Sequence, residues 1–203
     1  MMKLIGAYDS PFVRRVAVTM NLYGMPFKHV PLSTVADLPA VEAVSPLGRI
    51  PALVLDDGEA LVDSSAIIDF LDERAGAAKA LTPAGGERRR RVNAIIAIAL
   101  GVADKYVAAY YETHKRPESH VWKPWLDRLE QQARQVLDAL EARCAGPWMT
   151  GGEMTQADVT TVAVIDTIRF DMGHLAPVGA HPKLDDLVRR AMARQAFATT
   201  APG

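Results

Sequence analysis

Hydrophobic and polar positions follow two different periods along this chain. In the first part, short apolar runs stand between turn residues. "KLIGAY" and "FKHVPL" read as strands. Between them Val13, Val16, Ala17 and Met20 recur at helical spacing, which predicts a helix from Pro11 to Tyr23. Pro11 at its first position costs nothing, because that N–H has no intrahelical partner. "PALVLDDGEALV" is two apolar runs around Asp57-Gly58, the pattern of a hairpin. "SSAIIDFLDERAG" then puts Ile67, Ile68 and Leu71 on one helical face, with Gly76 as its stop. The predicted order is β-α-β, an irregular stretch, then β-β-α.

Residues 77–86 are small, with proline and glycine, and read as a linker between a first domain (1–76) and a second (87–203). Beyond them the period is helical throughout. One face holds Val92, Ile95, Ile96, Ala99, Ala103, Tyr106 and Tyr110. Another holds Trp122, Leu126, Leu129, Ala133, Val136 and Leu140. Ala157, Thr161, Val164, Ile165 and Ile168 make a third, and Leu184, Leu187, Val188 and Ala191 a fourth. An α/β domain thus precedes an all-helical one.

Composition narrows the chemistry. The 203 residues are 49% hydrophobic and 23% charged, ordinary for a soluble globular protein. A formal net charge of −1 predicts no general attraction to nucleic acid or anionic membrane. The single cysteine, Cys144, excludes both an internal disulfide and a cysteine metal cluster. The N-terminal apolar run is too short for a signal peptide, and no later run is expected to span a bilayer, so a cytoplasmic location is the expectation.

Candidate chemistry gathers in four stretches: "SPFVRRV", "SPLGRIPALV", "VDSSAIIDFL" and "MTQADVTTV". In that order and at those separations, across both halves, the chain resembles the cytosolic glutathione S-transferases, of the bacterial serine- or cysteine-type branch. The resemblance implies a thioredoxin-like first domain (β-α-β-α-β-β-α) and a helical second domain. It implies a cis peptide bond before Pro51 and a homodimer. It implies an enzyme that binds glutathione, stabilises its thiolate and conjugates it to an electrophilic small molecule in detoxification. Glutathione is a co-substrate, and no further cofactor or metal is implied. Two other readings stand beside this one: a glutathione-dependent peroxidase- or reductase-like protein, and a non-catalytic interaction protein that keeps the fold. A pure scaffold has no need of Ser10, Ile50-Pro51 or Asp63-Ser64.

Each motif also has a plain structural use. Glutathione carries an α-ammonium, two carboxylates and a thiol. Asp63 and Ser64 begin a helix, where free amides and the helix dipole favour a carboxylate and Asp63 suits the ammonium. Either residue also serves as an ordinary N-cap. If cis, Pro51 turns the backbone of Ile50 outward, where it can pair with an extended peptide, and Arg49 can reach the glycyl carboxylate. Ser10 and Phe12 fall in the stretch "SPFV" where thioredoxin-like redox proteins carry Cys-x-x-Cys. With both thiols absent, dithiol exchange there is excluded. Ser10 remains as a hydroxyl at a helix N-terminus, a place that lowers thiol pKa values, or as a cap; Tyr8 is the rival donor. Thr155 and Asp158 in "MTQADVTT" form a capping-box variant.

The remaining features are assigned to structure or surface. Arg88 to Arg91 read as a solvated helix start. The five histidines show no metal-ligand spacing. Tyr106, Tyr110 and Phe170 can wall an apolar co-substrate pocket or, at helical spacing, fill the core.

Overall fold

The first half is organised around strand β1 (Met2–Ile5), which has a partner on either side. It pairs parallel with β2 (Phe27–Val30) and antiparallel with β3 (Ala52–Val54). β3 pairs antiparallel with β4 (Ala60–Leu61) across the Asp57-Gly58 turn, giving a mixed sheet of order β2-β1-β3-β4. The structure is a computed structural model and describes residues 1–203. Helices α1 (Pro11–Tyr23) and α3 (Ser64–Ala75) pack with the sheet. Leu4 and Leu53 of the sheet meet Val13, Val16 and Met20 of α1 and Ile67 and Leu71 of α3 in one buried cluster. Burial of each such side chain is worth about 1.5–3 kcal/mol. α1 stops at Gly24, which takes the left-handed conformation at φ 65°. The irregular stretch holds one short helix, α2 (Leu38–Glu42), too short to show a period.

The chain divides into two compact units, Met1–Ala84 with Met192–Gly203, and Gly85–Ala191. Both differ from the expected limits. Residues 77–84 belong to the first unit rather than to a free linker. The Leu81 amide donates to the Tyr23 hydroxyl at 2.7 Å, and that hydroxyl donates to Asp72. The C-terminal residues also return to the first unit. There α8 (Gln195–Ala198) packs on α1, with Asn21 Nδ2 donating to the Ala196 carbonyl at 3.3 Å and Arg14 Nη2 reaching Met192 Sδ at 3.2 Å. These polar groups of α1 take partners that lie far away in sequence, which no local pattern signals.

In the second unit α4 (Gly86–His114) packs against α5 (Lys123–Arg143) and α6 (Gln156–Met172), followed by α7 (Pro182–Met192). The third and fourth predicted faces are buried throughout. In α5, Leu137 is buried where Val136 was expected, and Trp122 precedes the helix with 63% of its surface exposed. By length and composition α4 is able to cross a bilayer, contrary to the expectation that no run is long enough. Its apolar residues Val92, Ile95, Ala99, Val102 and Ala103 are buried, the use of a core helix.

Two tight spots carry stability predictions. Asp158 is fully buried at the start of α6, and its carboxylate accepts from the amides of Met149 (2.6 Å) and Thr155 (2.7 Å) and from the Thr155 hydroxyl (3.0 Å). Burial pushes this carboxyl above the usual range, and the donors oppose that push. Asp158→Ala leaves buried amides unpaired and should cost roughly 3 kcal/mol, at 1–3 kcal/mol for each. A urea midpoint shifted at constant slope checks this; a loss under about 1 kcal/mol contradicts it. At the end of β1, Gly6 sits at φ +123°, and an added Cβ lies 2.5 Å from Val13 Cγ2 and 2.8 Å from Ile50 Cβ. Gly6→Ala combines backbone strain with overpacking and should destabilise by roughly 2–5 kcal/mol. An unchanged melting temperature would contradict that close approach.

Candidate functional site

Ser10 caps α1. Its backbone is extended (φ −89°, ψ 122°), its carbonyl accepts from the Arg14 amide at 2.9 Å, and its Oγ accepts from the Val13 amide at 3.4 Å. That last bond is long for N–H···O. It also uses only a lone pair of the hydroxyl, so the O–H proton stays available to a further acceptor. Pro11 has no N–H, and the amides of the first turn face the helix start. Phe12 is half-buried and Pro11 buried beside them.

The turn that carries Ser10 is held from both sides. Gly6 donates its amide to the Val30 carbonyl at 2.9 Å, and its own carbonyl lies 2.8 Å from His29 Nε2. A carbonyl only accepts, so Nε2 carries the proton. The His29 ring lies flat on Tyr8, centroids 3.9 Å apart and planes 2° from parallel. Tyr8 is half-buried, and burial pushes its phenol up, so Tyr8 is a neutral donor rather than a phenolate.

The close approach at Gly6 brings Ile50 against the first turn of α1. The Ile50–Pro51 bond is cis, as expected; Val62–Asp63 is also cis, and no sequence pattern marks it. Pro51 is buried, Ile50 half-buried and Arg49 exposed. The strand end, the α1 N-terminus and the residue before Pro51 thus meet at one point of the first unit.

A second helix N-terminus belongs to α3. Asp63 is its N-cap, and Oδ1 accepts from the amides of Ser65 (2.7 Å) and Ala66 (3.4 Å). Asp63 is exposed. Ser64 is buried, and the exposed hydroxyl is that of Ser65. The cap geometry explains this: the first helical residue after Asp63 turns inward, and the second turns out.

Arg15 is the residue that the pattern did not single out. It is 1% exposed, and its Nη2 donates to Ser65 Oγ at 2.9 Å, joining α1 to the first turn of α3. Burial pulls its guanidinium down to about 10, and the charge of Asp63 acts the other way. The signal for burial is that Arg15 shares a helical face with Phe12 and Thr19.

The expected pocket residues lie in the second unit. Tyr106 is 1% exposed and belongs to the core, which corrects the reading of it as a pocket wall; it lies on the α4 face that packs inside the bundle. Tyr110 is half-buried and stacks on His114, centroids 4.0 Å apart. Phe170 is 55% exposed. Cys144 is buried at the end of α5, and burial pushes its thiol up, away from nucleophilic use.

Comparison with known proteins gives the family. The model of the glutathione S-transferase N-terminal domain matches residues 4–79, and that of the C-terminal domain matches residues 123–190. The GST-like protein YibF of Escherichia coli K12 is 29% identical over 99% of this chain and 98% of its own length. A maleylacetoacetate isomerase of Pseudomonas aeruginosa is 40% identical over 78 residues, 36% of this chain and 37% of its own. Among solved structures, a glutathione transferase family member of Pseudomonas fluorescens Pf-5 with bound glutathione superposes with a TM-score of 0.90. A glutathione S-transferase of Methylobacillus flagellatus KT with glutathione bound does so with 0.93. Each is 29% identical and matches over 100% of both chains. With a thioredoxin-like first domain, a helical second domain and a family match in both, the chain belongs to the glutathione S-transferase family.

Proposed function

We propose that this protein binds glutathione in its first unit, holds the thiol as a thiolate beside Ser10, and transfers it to an electrophilic small molecule. The observation that carries this reading is the convergence at Gly6 of the first turn of α1, through Val13, with Ile50. In this reading the backbone of Ile50 pairs with the cysteinyl residue and sets its sulfur towards the α1 N-terminus, with Phe12 beside it. Ser10 donates its O–H to the sulfur, and the helix dipole adds positive potential. A hydrogen bond to a charged group is worth about 1.5–3 kcal/mol, enough to lower a thiol pKa by one to two units. Asp63 faces the γ-glutamyl ammonium, and Ser64 at the start of α3 faces the α-carboxylate through its amide. Arg49 is exposed and long enough to meet the glycyl carboxylate. Transfer forms a carbon–sulfur bond while the leaving group departs with its electron pair. Tyr110 and Phe170 are the residues proposed for the apolar co-substrate. The working assembly proposed is a cytoplasmic homodimer, and the branch proposed, on Ser10, is the bacterial serine- or cysteine-type one.

A second reading rests on the isomerase among the relatives. There the thiolate adds to a conjugated double bond, the resulting single bond rotates, and the thiolate leaves again, so glutathione is regenerated. The two differ in thiol balance. The test incubates the protein and glutathione with an activated aryl halide, a cis-configured conjugated diacid and an organic hydroperoxide, and counts free thiol against product. Conjugation consumes one thiol for each product formed. Isomerisation consumes none, and peroxide reduction yields glutathione disulfide. Glutathione binding without turnover of any of them would favour a non-catalytic interaction protein.

Two substitutions separate binding from chemistry. Ser10→Ala should lower kcat for conjugation by about 10- to 100-fold at neutral pH, the worth of one hydrogen bond to a thiolate, with glutathione affinity largely kept. Asp63→Ala should do the reverse. It should weaken glutathione binding by about 10- to 100-fold and cost about 1 kcal/mol of stability through the lost cap. Steady-state kinetics and calorimetry check both, and unchanged affinity in Asp63→Ala would mean that the γ-glutamyl site is wrongly placed.

A further inference from the structure

The start of α5 lacks what the starts of α1, α3 and α6 have, a side chain that accepts from the first turn. Its N-cap is Trp122, an indole that only donates, and its first turn holds no acidic residue. The positive end of this helix is therefore uncompensated. Beside it lies a groove of about 520 Å³, lined by Lys105 of α4 and by Trp122, Pro124, Trp125, Arg128 and Gln132. Trp122 is 63% and Trp125 40% exposed, two of the three tryptophans in the chain. No carboxylate lines the groove. Asp127 pairs with Lys123, and Glu112 pairs with Arg116 at 2.9 Å and accepts from the Trp122 amide at 3.1 Å. The side chains of Lys105 and Arg128 take no ion-pair or hydrogen-bond partner. A second hollow of about 530 Å³ shares Trp125 and adds Tyr111 and Lys115. Single apolar residues on a surface are ordinary, but clustered exposed aromatics mark a contact site.

We infer that this groove of the second unit binds a planar aromatic anion, an aryl ring that carries a carboxylate or sulfonate. The ring lies against the indoles of Trp122 and Trp125. The acidic group meets Lys105, Arg128 and the positive end of α5, three sources of positive potential with no acid among the lining residues. The guanidinium fork of Arg128 matches two oxygens of one anionic group. Lys105 is half-buried, so its charge is screened less than that of a fully solvated lysine. The whole chain carries a net charge of −1, so this positive potential is local rather than a property of the protein at large. The volume selects a small molecule, since ligand pockets run from about 300 to 1,000 Å³. The groove shares no residue with Tyr110 or Phe170, and the inference does not rest on the glutathione reading.

The test is calorimetry on the full chain with naphthalene-1-sulfonate and with naphthalene-1-methanol, the same ring with a neutral group. The sulfonate should bind at one site per chain, about tenfold more tightly than the alcohol. Excess S-hexylglutathione, which would fill a glutathione site and the space next to its sulfur, should not displace it. The double variant Lys105→Gln/Arg128→Gln should weaken the sulfonate about tenfold and change the alcohol less than about twofold. Trp125→Ala should weaken both probes. If the double variant does not fold, Arg128→Gln alone, at an exposed position, decides the matter with a loss of about threefold for the sulfonate only. Displacement by S-hexylglutathione, or equal affinities of the double variant and the wild type for the sulfonate, would overturn the inference. A sulfonate that does not bind, with Trp122→Ser lowering the association state in sedimentation, would overturn it in favour of a second copy of the chain on this groove.

Discussion

The geometry of the first unit depends on a single close approach. At Gly6 the backbone leaves β1 at φ +123° and passes so near Val13 and Ile50 that no side chain fits. Everything that the proposed chemistry needs follows from that contact. The turn must be tight for Ser10 to cap α1, and Ile50 must lie against it for the residue before Pro51 to border the same space. His29 holds the Gly6 carbonyl and lies flat on Tyr8, so the same turn also fixes the rival hydroxyl. Packing of Val13 with Leu4 and Leu53 secures the arrangement from below.

Two helix starts then share one design and differ in charge. Each begins with a short polar cap, Ser10 for α1 and Asp63 for α3, and each leaves first-turn amides unengaged by the helix. The neutral cap leaves the dipole of α1 uncompensated, which suits a single anion such as a thiolate. The charged cap of α3 suits a cation such as an ammonium, and Arg15 ties that helix start to α1 through Ser65. A cap and a binding group are therefore the same atoms in different use. The lone pair of Ser10 serves the helix and its proton serves a ligand.

Much of this was legible in the sequence, and the limits have physical causes. The bounds of α1 were readable because Pro11 and the Val13–Met20 period mark both start and face. The hairpin was readable from Asp57-Gly58. A five-residue helix such as α2 has too few turns to show a period. Neighbouring apolar residues, Val136 and Leu137, are distinguished only by the rotation of α5 against its neighbours. Ser64 and Ser65 present the same ambiguity, since which serine turns outward depends on the residue that takes the cap. Arg15 and the C-terminal return of α8 onto α1 rest on contacts between residues distant in the chain, and local spacing carries no trace of those.

The claim on which the account turns is that the α1 N-terminus stabilises a bound thiolate. Ultraviolet absorbance of the protein–glutathione complex, followed across pH, reads that thiolate directly. The account predicts a bound thiol that titrates at least about one unit below an ordinary cysteine thiol near 8.5. In Ser10→Ala the midpoint should rise by about one unit or more, at 1.36 kcal/mol per unit. A bound thiol that titrates like the free one, or wild-type and Ser10→Ala curves that superimpose, would contradict it.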